Sequence, residues 1–562
     1  MENLNKLAPI DGKVMRGKDS SPHWTDNHPF GLTKTSLPKD VISEDVRIPM
    51  RDGVQLAASV YRPTGAAPVP VVTTATPYGK DNFDQWQYFK DSPEGNLPSG
   101  GGFYMGNFEI SDHTPFEAPD PGFWVPQGYA IVLLDHPGLG KSGSSATPPP
   151  MQERWADIMA WIGAQSWCTG SIGMLGVSAL CCTQWIAAES PAPAELKAII
   201  PWEGFNSTGP GNGCGGIPET SLLPWVGQVW VGPNVNPDAR GPEPVLMAWK
   251  YACDRIRIPA LVCASTSDQE LHCWDSFDAY TKIATSDKWL ISHRRPKWQA
   301  FYGSEQQELQ RRFFERYLKG NEQAFQGVSK VAIDVHDSRT EWQTRRATSW
   351  PIPGTQFKTL YPDIGDGALK QARRRSDEFT LAGNKPDHPG SRWTFAMTFD
   401  QDTEIVGHGA LHLSVIATAA PRFDLFIGIE KVDAGGNEVF FFSSSGGNAN
   451  GPVTRGWLRS DYRKIDSAQS SEARPIRLTD DCGSLQEGER VELSIPLMPT
   501  AVRFLAGETL RLAIQSWSVP GRWEGGEGRI WKTDPDGDCR ILVGEGSNTR
   551  LILPIVPGKA WV

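Results

Sequence analysis

The segment Gly176-Val177-Ser178-Ala179-Leu180 stands between an apolar run, GSIGMLGVS (170–178), and ALCCTQWIAAE, whose composition suits a helix. A serine on a tight strand-to-helix turn, flanked by small residues, is lifted clear of a sheet as a nucleophile must be. Gly176 and Ala179 are the small flanks; the fifth position, commonly glycine, is Leu180, so the strict GxSxG pattern is broken. A serine hydroxyl attacks a carbonyl only when a histidine takes its proton, and an acid must hold that histidine's tautomer. In enzymes built this way the partners follow as Ser, acid, His, each after a sheet strand. Asp268 follows IPALVCAS (258–265) and His293 follows KWLIS, so these two are the expected acid and base for Ser178. Asp275 and Asp278 fall in a helix expected just downstream, and His272 is nearby but precedes the next strand. The other eight histidines lie before Ser178 or in the C-terminal part. The oxyanion of the intermediate needs donors aimed at it. One is the backbone N–H of Ala179, and the Tyr78 hydroxyl, in the loop after TTATPY, is a candidate for the second. This chemistry suits ester or amide bonds.

The elements that would position these residues can be read around them. VRIPMRDGVQLAASVYRP turns at Asp52-Gly53, a hairpin signal. PVPVVTTATPY (68–78) and GYAIVLLDHPG (128–138) are short apolar runs ending in turn residues, as buried parallel strands do. Residues 151–166 carry apolar positions at helical spacing, and KAIIPWEG (197–204) reads as a further strand. Strand–helix alternation predicts an α/β domain with a parallel sheet and helices on its faces. Residues 1–42 read as an N-terminal arm, 43–203 and 257–326 as two parts of the core, and 204–256 as an inserted segment rich in Gly, Pro and Trp. RRFFERYLKG (311–320) is amphipathic and closes the core as a helix. Over 327–562 short alternating segments such as LHLSVIAT, FDLFIGIEKV and TLRLAIQSW predict an antiparallel β-sandwich.

Composition bounds the function. A chain of 562 residues with 39% hydrophobic and 21% charged residues has ample material for more than one globular core. A net charge of −10 excludes a protein that neutralises a run of phosphates, so no nucleic-acid partner is expected. The start, MENLNKLAPIDG, lacks a basic and apolar leader, and no run approaches the roughly 18 apolar residues that span a bilayer. The nine cysteines are scattered without a CxxC pair, consistent with reduced thiols in the cytoplasm and no structural zinc. No cofactor or metal is expected. Homo-oligomerisation is left open.

Taken together, IPMRDGVQLAASVYRP (48–63), TPYGKD (76–81), DPGFWVPQGYAIVLLDHPGLGKSG (120–143), WIGAQSWCTGSIGMLGVSALCCTQW (161–185), RRFFERYLKG (311–320) and GWLRSDYR (456–463) resemble the cocaine-esterase and X-prolyl dipeptidyl-peptidase (CocE/NonD) family of serine hydrolases. The resemblance implies an α/β-hydrolase core, an inserted helical cap (204–256) and a C-terminal jelly roll. It also implies Ser178 as nucleophile, Asp268 as acid, His293 as base, and Tyr78 with the Ala179 amide as the oxyanion hole. The sequence departs from the family pattern after the nucleophile (Ala179-Leu180-Cys181), before Asp268 and around His293. The expected activity is hydrolysis of an ester or amide of a hydrophobic small molecule through an acyl-enzyme. An X-prolyl peptidase or α-amino-acid ester hydrolase would hold a substrate ammonium with carboxylates such as Glu203 or Glu219. An acyltransferase would use the same triad, and a non-catalytic ligand-binding protein is the reading of another class.

Overall fold

The computed structural model describes residues 31–86, 105–205, 215–217, 251–517 and 537–562, apart from position 66 and short stretches at 270, 384–387, 419–421, 444–447 and 479–481. The expected arm is therefore described only from Gly31. Most of the expected cap, including Glu219, lies outside the described residues.

Among the described residues up to 347 there are twelve strands: β1 (Gly31–Thr35), β2 (Val41–Pro49), β3 (Gln55–Pro63), β4 (Val69–Thr76), β5 (Asn107–Ser111) and β6 (Ala130–Asp135), followed by β7 (Cys168–Val177), β8 (Leu196–Trp202), β9 (Ala260–Ser265), β10 (Lys288–His293), β11 (Val331–His336) and β12 (Trp342–Ala347). The end of the arm is a strand, because β1 pairs in parallel with β5. The main sheet runs β2-β3-β6-β4-β7-β8-β9-β10-β11-β12. From β6 through β11 its neighbours are parallel. Every residue of β6 and β9 is buried, as expected of strands covered on both faces. One apolar cluster lies on each face of this sheet.

Five helices matter for the site: α1 (Met151–Gly163), α2 (Ala179–Ala188), α3 (Cys273–Lys282), α4 (Lys297–Phe301) and α5 (Ser304–Lys319). In α1 the buried residues Trp155, Ile158, Met159 and Ile162 recur at i, i+3, i+4 and i+7, so one stripe faces the sheet. The amphipathic segment expected over 311–320 is the last part of α5, which ends at Gly320 with φ 73°. Glycine tolerates that left-handed cap without a Cβ clash.

The C-terminal half is a sandwich of antiparallel sheets. One sheet joins Gln356–Asp363, Arg550–Val556, Thr403–Ala417, Arg490–Phe504 and Cys539–Val543. The other joins Arg392–Thr398, Thr509–Gln515, Asp424–Val432 and Thr454–Arg459. Their inner faces enclose a third apolar cluster. The sandwich is tied to the loop after β10 by Arg294, whose guanidinium donates to the carbonyls of Phe442 (3.0 Å), Pro452 (2.5 Å) and Val453 (2.7 Å). A buried arginine is tolerated when its donors are paired in this way. Among the described residues no helix is long and apolar enough to cross a membrane.

Candidate active site

Ser178 joins the end of β7 to the start of α2 with φ 57° and ψ −115°. A non-glycine residue pays a conformational cost there, which the surroundings must impose. Two hydrogen bonds do so: Val177 N–H donates to Glu117 O (3.2 Å) and Ser178 N–H to Trp202 O (3.0 Å). Glu117 (φ 66°) and Glu203 (φ 47°) are themselves in the left-handed region, so three strained residues meet around the elbow. A Cβ on Gly176 would stand 2.6 Å from Leu180 Cβ and 3.1 Å from Thr74 Oγ1. Leu180 can therefore replace the usual glycine of the motif because Gly176 leaves it room.

Ser178 Oγ lies 3.0 Å from His272 Nε2. The opposite ring nitrogen, Nδ1, is hydrogen-bonded to Asp268 Oδ2. Asp268 sits in the loop after β9, and His272 and Cys273 donate their backbone N–H groups to Asp268 O (3.2 and 2.9 Å) at the entry to α3. That turn puts the side chains four residues apart on one side of the chain. Serine, imidazole and carboxylate are thus aligned in the order that general-base activation needs.

The expected pairing of Ser178 with His293 is not what the structure contains. His293 is the last residue of β10, in register with Ser265 of β9, so the pleat of the sheet fixes its direction. Its Nδ1 accepts from Arg295 N–H (3.2 Å), and its Nε2 lies 3.1 Å from Glu203 Oε1. The order Ser, acid, His still holds, but the histidine that reaches Ser178 comes from the acid's own loop. The signal for it was the Asp268-x-x-x-His272 spacing.

A lysine that the motif reading had not weighed completes the cluster. Lys297, at the start of α4, places Nζ 2.5 Å from Asp268 Oδ2, 3.0 Å from His272 Nδ1 and 3.8 Å from Glu203 Oε2. Burial alone would raise the Asp268 carboxyl, but Lys297 and His272 outweigh it and hold it well below the usual carboxylate range. Burial and the Lys297 ammonium push His272 down, while Asp268 opposes them. Burial would lower Lys297, yet Asp268, Glu203 and, once ionised, Glu117 hold it raised.

Tyr78 lies in the loop after β4, buried edge-on against Phe116 with ring centroids 5.0 Å apart. β4 is the parallel neighbour of β7, which carries Ser178. Tyr78 hydrogen-bonds the side chain of Glu117. Burial pushes the Glu117 carboxyl up to about 8, against the pull of Lys297, Tyr78 and Trp298. The backbone N–H of Ala179 is the first of α2.

Glu203, Cys263 and His293 bring three ligand-type atoms within 4.8 Å of one another. Within the cluster each group also answers to its neighbours. Glu203 Oε2 accepts from Ser265 Oγ (2.5 Å) and Oε1 from Trp202 Nε1 (3.2 Å), while burial and Glu203 drive the Cys263 thiol well above its ordinary value. Metal ligation needs the thiolate.

The sequence matches the X-Pro dipeptidyl-peptidase (S15 family) domain over residues 52–229 and the X-Pro dipeptidyl-peptidase C-terminal non-catalytic domain over 323–552. A CocE/NonD family hydrolase from Staphylococcus aureus superposes with a TM-score of 0.79 at 30% identity, covering 93% of this chain and 99% of that one. The chain belongs to the CocE/NonD family. At lower identity, an α-amino acid ester hydrolase superposes with a TM-score of 0.64 at 17% identity, covering 95% of this chain and all of that one. The cocaine esterase of Rhodococcus sp. is 27% identical over 390 residues, 57% of this chain, and the match spans 62% of that esterase's length. In this CocE/NonD chain the first matched segment contains Tyr78, Glu117, Ser178 and Glu203, whereas Asp268, His272, His293 and Lys297 fall between the two matched segments.

Proposed function

We propose that this protein is a serine hydrolase that cleaves an ester bond of a small, largely apolar substrate through an acyl-enzyme. The observation that carries the reading is the Ser178–His272–Asp268 chain of contacts. As Ser178 Oγ bonds to the substrate carbonyl carbon, its proton passes to His272 Nε2. The Asp268 carboxylate holds Nδ1–H and stabilises the imidazolium. With Glu117 protonated and donating to the Tyr78 oxygen, the Tyr78 O–H is left to take the developing oxyanion together with the Ala179 amide. His272 then returns the proton to the departing alkoxide, and a water, deprotonated by the same nitrogen, releases the acid and restores Ser178.

The S15 match supports a second reading, cleavage after an X-proline pair. Recognition of a substrate ammonium would need a free carboxylate facing the site. Of the two carboxylates expected in that role, Glu203 is fully buried and already accepts from Ser265 and Trp202, and Glu219 lies outside the described residues. The test compares kcat/KM on short-chain aryl esters and on X-prolyl anilides. Ester turnover alone supports the first reading, and comparable anilide turnover would move the assignment to the second.

A further inference from the structure

In a Ser–His–Asp triad the carboxylate accepts from the imidazole and stabilises the imidazolium formed in the transition state. Here one oxygen, Asp268 Oδ2, serves two donors, His272 Nδ1 and Lys297 Nζ, while Asp268 Oδ1 has no hydrogen-bond partner among the described residues. Lys297 is buried, and its ammonium also stands 3.0 Å from His272 Nδ1 itself. We propose that Lys297 is a positioning residue of the triad: it clamps the Asp268 carboxylate and disfavours the resting imidazolium, keeping His272 ready as a base in more acidic solution than an unclamped triad allows. The inference rests on the Ser178–His272 reading above.

The charges facing this pair come from every neighbouring element. Asp268 and His272 lie on the loop between β9 and α3. Glu203 follows β8, and His293 ends β10 against Glu203. Glu117 precedes the turn beside the elbow and also acts on Lys297 electrostatically. The carboxylates that keep Lys297 charged are thus Asp268, Glu203 and, once ionised, Glu117. Against His272 the ammonium and the Asp268 carboxylate oppose each other. Removing Lys297 takes away the repulsion on His272, and the imidazolium as it forms still favours an ionised Asp268 through its own charge and hydrogen bond, so the imidazole should become easier to protonate. The shift downward that burial and Lys297 impose on His272 agrees with this sign.

The experiment measures kcat/KM on an aryl acetate and the rate of fluorophosphonate labelling from about pH 4.5 to 8.5. It uses the wild type, Lys297→Met, Lys297→Arg and His272→Ala. The wild-type acid limb should have its midpoint below about 6.5, the ordinary histidine value. Lys297→Met should move that midpoint up by about one unit or more, and Lys297→Arg, which keeps the charge, should stay near the wild type. A uniform loss of rate in Lys297→Met with an unmoved midpoint would reduce the lysine to a structural role and overturn the proposal. A wild-type midpoint at or above about 6.5 would overturn it as well, and that result requires no variant to fold. The underlying reading fails separately, if the wild type is not labelled or if His272→Ala is labelled as fast as the wild type.

Discussion

His272 reaches Ser178 because it lies four residues beyond Asp268, where the chain turns into α3: Ser178 Oγ is 3.0 Å from His272 Nε2, and Asp268 Oδ2 closes the other side of the ring. His293, in a sheet strand, faces Glu203 instead. The two histidines should therefore separate cleanly. His272→Ala should lower kcat by about 10⁴-fold or more, as removal of a triad base does. His293→Gln should keep labelling within about tenfold of wild type. It should also lower the melting temperature, because Glu203 loses a buried partner. Steady-state rates and thermal melts on both variants check this, and equal losses of kcat would contradict it.

Tyr78→Phe should reduce kcat by roughly 100- to 1000-fold with little change in KM, the cost of one oxyanion donor. The phenyl ring keeps the edge-on contact with Phe116, so the fold should persist, with a small loss of stability from the hydrogen bond to Glu117. Full turnover in the variant would remove Tyr78 from the oxyanion hole.

Glu117 gives a stability prediction with a definite sign. Its folded-state value, about 8, lies above the unfolded value, so its contribution is fully present below about pH 4.5 and is lost as pH rises through about 8. Glu117→Gln keeps a hydrogen-bond partner for Tyr78 but cannot ionise. Its melting temperature should equal the wild type's near pH 4.5 and exceed it by several degrees at pH 8.5, a differential on the order of a few kcal/mol. A variant less stable at pH 8.5 would mean that Glu117 is held as a useful charge.

Gly176→Ala should destabilise the elbow by about 1–3 kcal/mol, because the added methyl meets Leu180 Cβ and Thr74 Oγ1. Gly176→Ala combined with Leu180→Gly should recover part of the loss. Denaturant melts on the single and double variants would show it, and strict additivity would rule out the packing conflict.

Much of this was legible in the sequence. Buried parallel strands announce themselves as short apolar runs, and the Gly176–Ala179 turn showed where the nucleophile sits. Alternation marked the sandwich, but Val331–His336 and Trp342–Ala347, beyond the expected boundary at 327, extend the core sheet instead. What failed was the histidine. Strand order predicts that a base follows the next strand, but His293 is within β10, where hydrogen bonding to β9 fixes its direction. The i, i+4 spacing of Asp268 and His272 was visible, yet the turn into α3 that makes it meaningful is a tertiary fact. Lys297 was still less legible, since a lysine gains its role only when α4 buries it against carboxylates from three other segments.

The most direct measurement is fluorophosphonate labelling followed by peptide mapping, run on the wild type, Ser178→Ala, His272→Ala and His293→Gln. A serine hydrolase with His272 as its base should label at Ser178 in the wild type and in His293→Gln, and lose labelling in the other two. Rapid labelling of His272→Ala together with loss in His293→Gln would contradict the assignment and return the base to the end of β10.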